Sequence, residues 1–204
     1  MKLAASSPAQ WAPMQAAHAR TVVLVEGISD REALEALAER RGRDLDAERV
    51  AVVAIGGAQA VGRFLDLFGP RGSGARLAGL CDAGEERDFR RGLERAGLGT
   101  ALTRAGMEAL GFYVCEADLE DELIRSLGAA SVERVVAAQG ELESFRTFQR
   151  QPDWRGRAVE EQLRRFLGTY RGRKIRYGRL LVEALDLSRV PRPLEGVLAH
   201  VAAS

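Results

Sequence analysis

Cysteine and histidine, the residues that build most disulfides and zinc sites, are scarce in this sequence. Its 204 residues include two cysteines and two histidines, and no Cys/His spacing of a zinc site occurs. Cys81 and Cys115 both lie in apolar runs that indicate strands. Because small buried thiols are common in protein cores, we expect both to be buried and reduced, and they could be neighbours in a parallel sheet.

Long apolar runs and an excess of one charge are absent as well. No stretch is long and apolar enough to span a membrane, and residues 1–20 lack the apolar core of a signal peptide. With reduced cysteines, these absences predict a cytoplasmic location and no membrane partner. The formal net charge of +1 neither favours nor excludes a nucleic-acid partner by itself.

The first half of the chain alternates strand and helix patterns. Strands are predicted at residues 21–26, 50–55, 77–82 and 111–115. Helices are predicted between them, at residues 30–41, 58–68 and 85–95. This order is typical of a parallel sheet with helices on both faces, so we predict a Rossmann-like α/β fold of about four strands.

The second half carries helical patterns alone. Helices are predicted at residues 119–127, 132–139, 142–149, 159–167, 173–185 and 194–201. Pro191 and Pro193 break the chain before the last of them. We therefore divide the chain into a flexible N-terminal arm at residues 1–19, an α/β core at 20–125 and a helical extension at 126–204 that packs on the core.

Acidic side chains follow three of the predicted strands. They are Glu26 and Asp30 after the first strand, Asp82, Glu85 and Glu86 after the third, and Glu116, Asp118, Glu120, Asp121 and Glu122 after the fourth. Because parallel strands end at the same rim of a sheet, we expect these acids to converge. Crowded carboxylates repel one another unless a cation neutralises them, and ligand sets of oxygen alone favour Mg²⁺ or Mn²⁺.

Each of these acids also has an ordinary structural explanation. Glu26 is equally well a solvated strand end, since short motifs are weak evidence. Ser29 or Asp30 can cap the helix that follows, and Asp118 can cap the helix after the fourth strand. The order of acids at three strand ends favours a metal site over these separate explanations.

Three segments in the first half resemble a Toprim domain. They are VEGISD at residues 25–30, IGG at residues 55–57 and LCD at residues 80–82. Toprim is the metal-binding fold of type IA and type II topoisomerases, bacterial primases and OLD-family (overcoming lysogenization defect) nucleases. The segment EADLEDELI at residues 116–124 and the basic segment RKIRY at residues 173–177 are most similar to the OLD branch.

The resemblance implies roles for the acids of the first and third strands. Glu26 matches a glutamate that serves as metal ligand or general base, and Asp30 matches a further metal ligand. Asp82 matches the first acid of an Asp-x-Asp pair. Gly84 stands where the second acid is expected, so Glu85 or Glu86 would have to substitute for it. This departure puts full two-metal catalysis in question.

The resemblance also implies roles for residues in the second half. Asp118 and Glu120 match acids of the OLD branch that belong to the metal site. Lys174 matches a basic residue near the scissile phosphate, although a lysine here is equally well one charge of a solvated helix. Residues 146–192 are rich in arginine, and we predict that Arg171, Arg173 and Arg176 bind nucleic acid, with DNA as the expected substrate.

The leading hypothesis is therefore a Mg²⁺- or Mn²⁺-dependent endonuclease. A tyrosine nucleophile of the topoisomerase kind is not marked in the sequence, which favours hydrolysis. OLD nucleases join a Toprim half to an ATPase half, but this chain has no G-x-x-x-x-G-K-[ST] loop, so either an ATPase acts from a separate chain or ATP is not used. The alternatives are a non-catalytic binding module, which Gly84 favours, and an enzyme acting on small phosphates. The sequence leaves the oligomeric state open.

Overall fold

The computed structural model describes Ala16 and residues 18–202, with the side chain of Arg171 as an exception. The arm expected at residues 1–19 lies almost wholly outside the described residues. Within them, the sheet consists of four parallel strands in the order β2-β1-β3-β4. The strands are β1 (Thr21–Val25), β2 (Val50–Ala54), β3 (Arg76–Cys81) and β4 (Phe112–Val114).

Ten α-helices flank this sheet in the described part of the chain. They are α1 (Ile28–Arg40), α2 (Val61–Phe68), α3 (Glu86–Arg95), α4 (Arg104–Ala109), α5 (Leu119–Leu127), α6 (Ala129–Ala138), α7 (Leu142–Gln149), α8 (Val159–Leu167), α9 (Arg171–Ala184) and α10 (Arg192–Ala202). Short 3₁₀ turns precede α2 and α3, at Ala58–Ala60 and Ala83–Glu85. The α/β class, the parallel sheet and the flanking helices predicted from sequence are confirmed.

The sequence missed one helix and predicted the starts of α1, α6, α9 and α10 two or three residues too late. Helix α4 has six residues and a single buried side chain, Met107, so it carries too little periodicity to be recognised. Helix α10 begins at Arg192, between Pro191 and Pro193, whereas both prolines were expected to precede the helix. A proline in the first helical turn needs no hydrogen-bond partner for its nitrogen, which is why Pro193 fits there.

Each face of the sheet packs on its own set of helices. Alternate residues of a strand point to opposite faces, so Val23 and Val25 join one core while Val22 and Leu24 join the other. The first core contains α1 and the helices of the C-terminal half. The second contains α2, α3 and α4. Cys81 and Cys115 are free and buried, and the N–H of Cys115 donates to the carbonyl of Cys81 at 2.9 Å.

Helix α9 packs directly against α1, and this contact determines what reaches the sheet rim. A Cβ atom at Gly178 would lie 2.7 Å from the carbonyl oxygen of Ser29, so the two helices meet with no room for a side chain. The Arg40 guanidinium donates to the carbonyls of Val182 and Leu185 at 2.8 and 2.7 Å. The close packing brings the first turns of α9 to the carboxyl ends of β1 and β3.

Candidate metal centre

Three carboxylates meet at the carboxyl ends of β1 and β3. Strands β1 and β3 are neighbours, with Val25 opposite Leu80. Glu26 and Asp82 are the residues that follow these strands, and Glu85 lies in the 3₁₀ turn after β3. One oxygen of each side chain lies within 4.8 Å of the others. The sheet therefore brings together three of the predicted ligands.

Asp30 lies beside this group in the first turn of α1. Its Oδ2 accepts a hydrogen bond of 2.8 Å from the N–H of Gly27. Gly27 is the residue that precedes the helix, so the expectation that Ser29 or Asp30 caps it is wrong, because both lie within the first turn. Burial raises the pKa of Asp30 to about 7 despite the Gly27 hydrogen bond, and the charges of Glu120 and Glu26 act in the same direction as burial.

The carboxyls of Asp82 and Glu85 also titrate far above their ordinary range. Burial raises the pKa of Asp82 to about 8, and the charge of Asp30 contributes to this shift. Burial raises the pKa of Glu85 to about 8. The hydrogen bond to Glu26 and the charge of Glu26 raise it further. The part of these shifts that comes from repulsion between the carboxylates is what a bound divalent cation relieves.

The residues present fit a hard divalent cation. The donors are carboxylate oxygens, as Mg²⁺ and Mn²⁺ prefer. Oε2 of Glu85 and Oε1 of Glu120 are buried and have no hydrogen-bond partner in the described part of the chain. Buried polar atoms without a partner are uncommon and call for a ligand. Glu26, Asp82 and Glu85 are therefore the residues that would hold the ion.

The two glutamates that could replace the missing second acid have separate positions. Glu85 belongs to the three-carboxylate group, whereas Glu86 pairs with Arg104 at 2.6 Å. A Cβ atom added at Gly84 would have no atom within 4 Å, so the position of the expected acid faces open space. The structure thus brings Glu85, one residue later in the chain, to the other carboxylates.

Asp118 and Glu120, the acids expected from the fourth strand, lie outside the three-carboxylate group. Asp118 caps α5, because its Oδ1 accepts from the N–H of Asp121 at 2.8 Å, and its Oδ2 pairs with Arg164 at 2.7 Å. Glu120 is buried, and its Oε2 lies 3.1 Å from Nζ of Lys174. Both acids remain close enough to raise the pKa values of their neighbours, Asp118 that of Asp82 and Glu120 that of Asp30.

Lys174 lies next to the acids although it is distant from them in sequence. Burial lowers the pKa of Lys174, but the charge of Glu120, a hydrogen bond to it and the charges of Asp30 and Asp82 outweigh burial. The net effect is a pKa above the usual range of lysine. Lys174 is therefore a cation at neutral pH, next to the carboxylates.

The arginines of α9 predicted to bind nucleic acid have partners within the protein. Arg173 is buried, with its guanidinium 2.9 Å from Glu141 and 4.0 Å from the ring centre of Phe166. Arg176 also pairs with Glu141, and the Tyr177 hydroxyl donates to the same carboxylate at 3.3 Å. The side chain of Arg171 lies outside the described residues.

Other acids of the fourth-strand segment form a separate network. Arg125 pairs with Glu116, Asp121 and Glu122 at 3.1, 2.8 and 2.9 Å. Glu122 also accepts from the N–H of Glu116 at 2.8 Å. What sequence reasoning missed is Arg164, which reaches Asp118 from α8. The only hint was the spacing of Glu161, Arg164 and Arg165 on one helix face.

Comparison with known proteins shows what this chain is similar to in sequence and in fold. Residues 18–83 match the family model described as the TOPRIM domain of overcoming lysogenization defect protein-like sequences. The C-terminal region of the Xanthomonas campestris pv. campestris OLD protein superposes with a TM-score of 0.74 and 24% identity, over 93% of this chain and 95% of that one. No curated protein sequence matches the chain.

A second solved structure shows the same likeness. The C-terminal region of the Burkholderia pseudomallei OLD protein superposes with a TM-score of 0.68 and 20% identity, covering 91% of this chain and 98% of that one. The resemblance to the C-terminal Toprim region of OLD proteins is thereby confirmed, as is the Toprim-like fold. None of the helices in the described part of the chain has the length and apolarity that crossing a bilayer requires.

Proposed function

We propose that this chain, with its OLD-like Toprim fold, hydrolyses phosphodiester bonds in nucleic acid, most readily DNA, with the help of Mg²⁺ or Mn²⁺. The observation that carries the proposal is the meeting of Glu26, Asp82 and Glu85 within 4.8 Å beside a charged Lys174. The OLD-like family match and the fold shared with OLD proteins support a nucleic-acid substrate.

In this proposal the ion is held by Glu26, Asp82 and Glu85, with Asp30 and Glu120 near enough to complete or adjust the set. A divalent cation bound there would neutralise phosphate charge and lower the pKa of a nucleophilic water. Glu26 would accept the proton of that water as the general base. Lys174 offsets the charge that builds on the phosphate oxygens as the water attacks and the leaving oxygen departs.

A non-catalytic binding module is the second candidate function. Gly84 leaves one expected carboxylate missing, and Asp118 is already satisfied by a helix cap and by Arg164. A chain of this kind would retain metal or nucleic-acid binding and act with a partner such as a separate ATPase. The three-carboxylate group fits either candidate, because a metal-binding module would hold its ion in the same way. The charged Lys174 beside the acids is what favours the nuclease.

Nicking of supercoiled plasmid DNA in Mg²⁺ or Mn²⁺ tests the proposal. We expect slow conversion to the open-circular form, faster in Mn²⁺, since a site short of one carboxylate meets the strict geometry of Mg²⁺ less well. Glu26→Gln removes the charge at almost constant size and should abolish nicking. An RNA substrate and a phosphomonoester run in parallel test the substrate class. If no substrate were cleaved with either ion, the nuclease proposal would be wrong and the non-catalytic binding module would replace it.

A further inference from the structure

A groove runs beside the candidate metal centre, between α5, α8 and the start of α9. Its volume is about 390 Å³, and we call it the α8 groove. It is lined by Asp118, Glu120, Trp154, Arg157, Glu161, Arg164, Arg165, Gly168 and Lys174. Glu120 and Lys174 line the groove and are also charged neighbours of Asp30, so the groove begins beside the candidate metal centre.

The charges of the α8 groove are unequal. Four cationic residues face three carboxylates, and two of those carboxylates are already held: Asp118 by Arg164 and Glu120 by Lys174. Arg165 is exposed, and its side chain makes no ion pair or hydrogen bond within the described part of the chain. The groove therefore offers a cation that the protein itself does not neutralise.

Another lining residue of the groove, Arg157, is held in place by its neighbours. Its guanidinium lies 5.0 Å from the ring centre of Trp154, and its Nε donates to the carbonyl of Asp153 at 2.8 Å. The Trp154 ring is stacked in turn on Phe148, with ring centres 5.2 Å apart. The nearest carboxylate, of Glu161, is 3.8 Å away and so makes only a loose pair. Arg157 can bind a further anion without losing a close partner.

The two sets of arginines therefore differ in availability. Three arginines of α9 have described side chains, and all are engaged within the protein. Arg173 and Arg176 converge on Glu141, and Arg179 pairs with Glu39 and Glu183. Arg157 and Arg165 lie along a groove that starts beside the candidate metal centre and have no close carboxylate partner. The groove is thus a path along which a strand bound at the candidate metal centre can carry its next phosphates.

We propose that the α8 groove binds the phosphate backbone of the nucleic-acid strand next to the scissile phosphate, through Arg157 and Arg165. This inference rests on the proposed function, because it takes the candidate metal centre as the place of the scissile phosphate. Contacts to phosphate are independent of sequence, and each one adds to the salt dependence of binding.

The test is the affinity of a labelled oligonucleotide, single-stranded and duplex, measured by fluorescence anisotropy over a range of salt. The Glu26→Gln background prevents cleavage and allows Mg²⁺ to be present. In that background, Arg157→Ala/Arg165→Ala should weaken binding about tenfold and reduce the slope of log K against log salt by about 2, one for each lost contact. Thermal melts establish that each variant is folded.

The matched control is Arg63→Ala/Arg91→Ala, which removes the same charge from α2 and α3. Arg63 lies 5.0 Å from the Phe64 ring centre, as Arg157 does from that of Trp154, and Arg91, like Arg165, is exposed. We expect the control to leave affinity and slope nearly unchanged. An equal loss in both double variants, or no binding by the parent protein, would overturn the groove proposal.

Competition separates a polymer site from a small-phosphate site. Inorganic phosphate and a mononucleotide should displace the oligonucleotide weakly, and the groove substitutions should alter their binding little. If these small anions lose affinity as much as the oligonucleotide does, the polymer proposal is wrong. Failure of the nuclease proposal looks different: the groove substitutions would still weaken binding selectively, while the parent protein would cut nothing.

Discussion

Nζ of Lys174 lies 3.1 Å from Oε2 of Glu120, joining the first turns of two helices that are far apart in sequence. The Glu120 side chain is 6% exposed and that of Lys174 is 37% exposed. The ammonium group therefore faces both a buried carboxylate and solvent at the rim of the metal centre. It is held as a cation where the proposed function requires a charge close to the scissile phosphate.

Lys174→Ala should lower the cleavage rate far more than the affinity for DNA. Removing a cation that stabilises developing charge costs about 10²- to 10³-fold in rate in comparable sites. We expect single-turnover rates to fall by that amount while the dissociation constant changes only a few-fold. Arg165→Ala provides the contrast, because it should weaken affinity more than rate. If Lys174→Ala cleaved DNA as fast as the parent protein, Lys174 would have no role in catalysis.

Divalent ions should raise the melting temperature of the protein. An ion that binds only the folded state stabilises it by about 2.7 kcal/mol at a hundredfold excess over its dissociation constant. Glu26→Gln and Asp82→Asn should each reduce this rise. Asp82→Asn should also stabilise the ion-free protein, because it replaces a carboxyl group whose charged form is disfavoured by burial. Glu143→Gln, at an exposed position on α7, serves as the control and should respond like the parent. If calorimetry detected no binding of Mg²⁺ or Mn²⁺ at millimolar concentration, the proposed metal site would be wrong.

The ion-free protein should lose stability as pH rises from about 4 to about 8. The pKa values of Asp30, Asp82 and Glu85 are raised to about 7, 8 and 8 in the folded state, above those of the unfolded chain. The folded state therefore binds more protons, so the free energy of unfolding falls with pH across this window. We expect a loss of at least about 1.4 kcal/mol, the worth of one pKa unit.

Thermal melts in chelator at several pH values measure this effect. Asp82→Asn should flatten the dependence because it removes one of the raised groups, whereas Glu143→Gln should not. Saturating Mg²⁺ should also flatten it, since the cation replaces the protons. A melting temperature that rises steadily between pH 5 and 8 in chelator would show that these acids are not strained by burial.

Gly84→Asp tests the missing acid directly. A Cβ atom at Gly84 meets nothing within 4 Å, so the substitution should be tolerated without loss of fold. If a second carboxylate completes the ligand set, cleavage should speed up in Mg²⁺ and the preference for Mn²⁺ should shrink. Gly84→Asn has similar size without the charge and is the control. Equal cleavage rates for both variants and the parent would mean that Glu85 already replaces the missing second acid.

Glu141→Gln should destabilise the packing of α9. Glu141 accepts from Arg173, Arg176 and Tyr177, and loss of its charge leaves the buried Arg173 without an anion. Breaking such a pair costs about 3–5 kcal/mol when both partners are buried, so we expect roughly 2–3 kcal/mol here, where Arg176 is half-exposed. Urea unfolding measures the change. Glu143→Gln should cost less than about 0.5 kcal/mol, as surface substitutions usually do.

The sequence predicted most of the elements because their signals are local. Residues 21–25 and 76–81 are apolar runs that form buried parallel strands, and the acids after them had to meet because neighbouring strands β1 and β3 end at one rim. The helix at Arg104–Ala109 escaped because six residues with one buried side chain leave little periodicity. The cap of α1 was misplaced because several polar residues in a row, any of which can cap, leave the helix start undefined.

Taken by itself, the sequence determined the α/β class, the parallel order of strands and helices, and the position of Glu26, Asp82 and Glu85 near the strand ends. These features follow from hydrophobic periodicity and chain direction, which are properties of short segments. Only the tertiary structure decided that Lys174 reaches the acids, that Arg164 holds Asp118 and that Arg173 faces inward to Glu141. Those outcomes depend on how α8 and α9 pack against α5 and α1, and on close contacts such as that of Gly178 with Ser29, which no local pattern encodes.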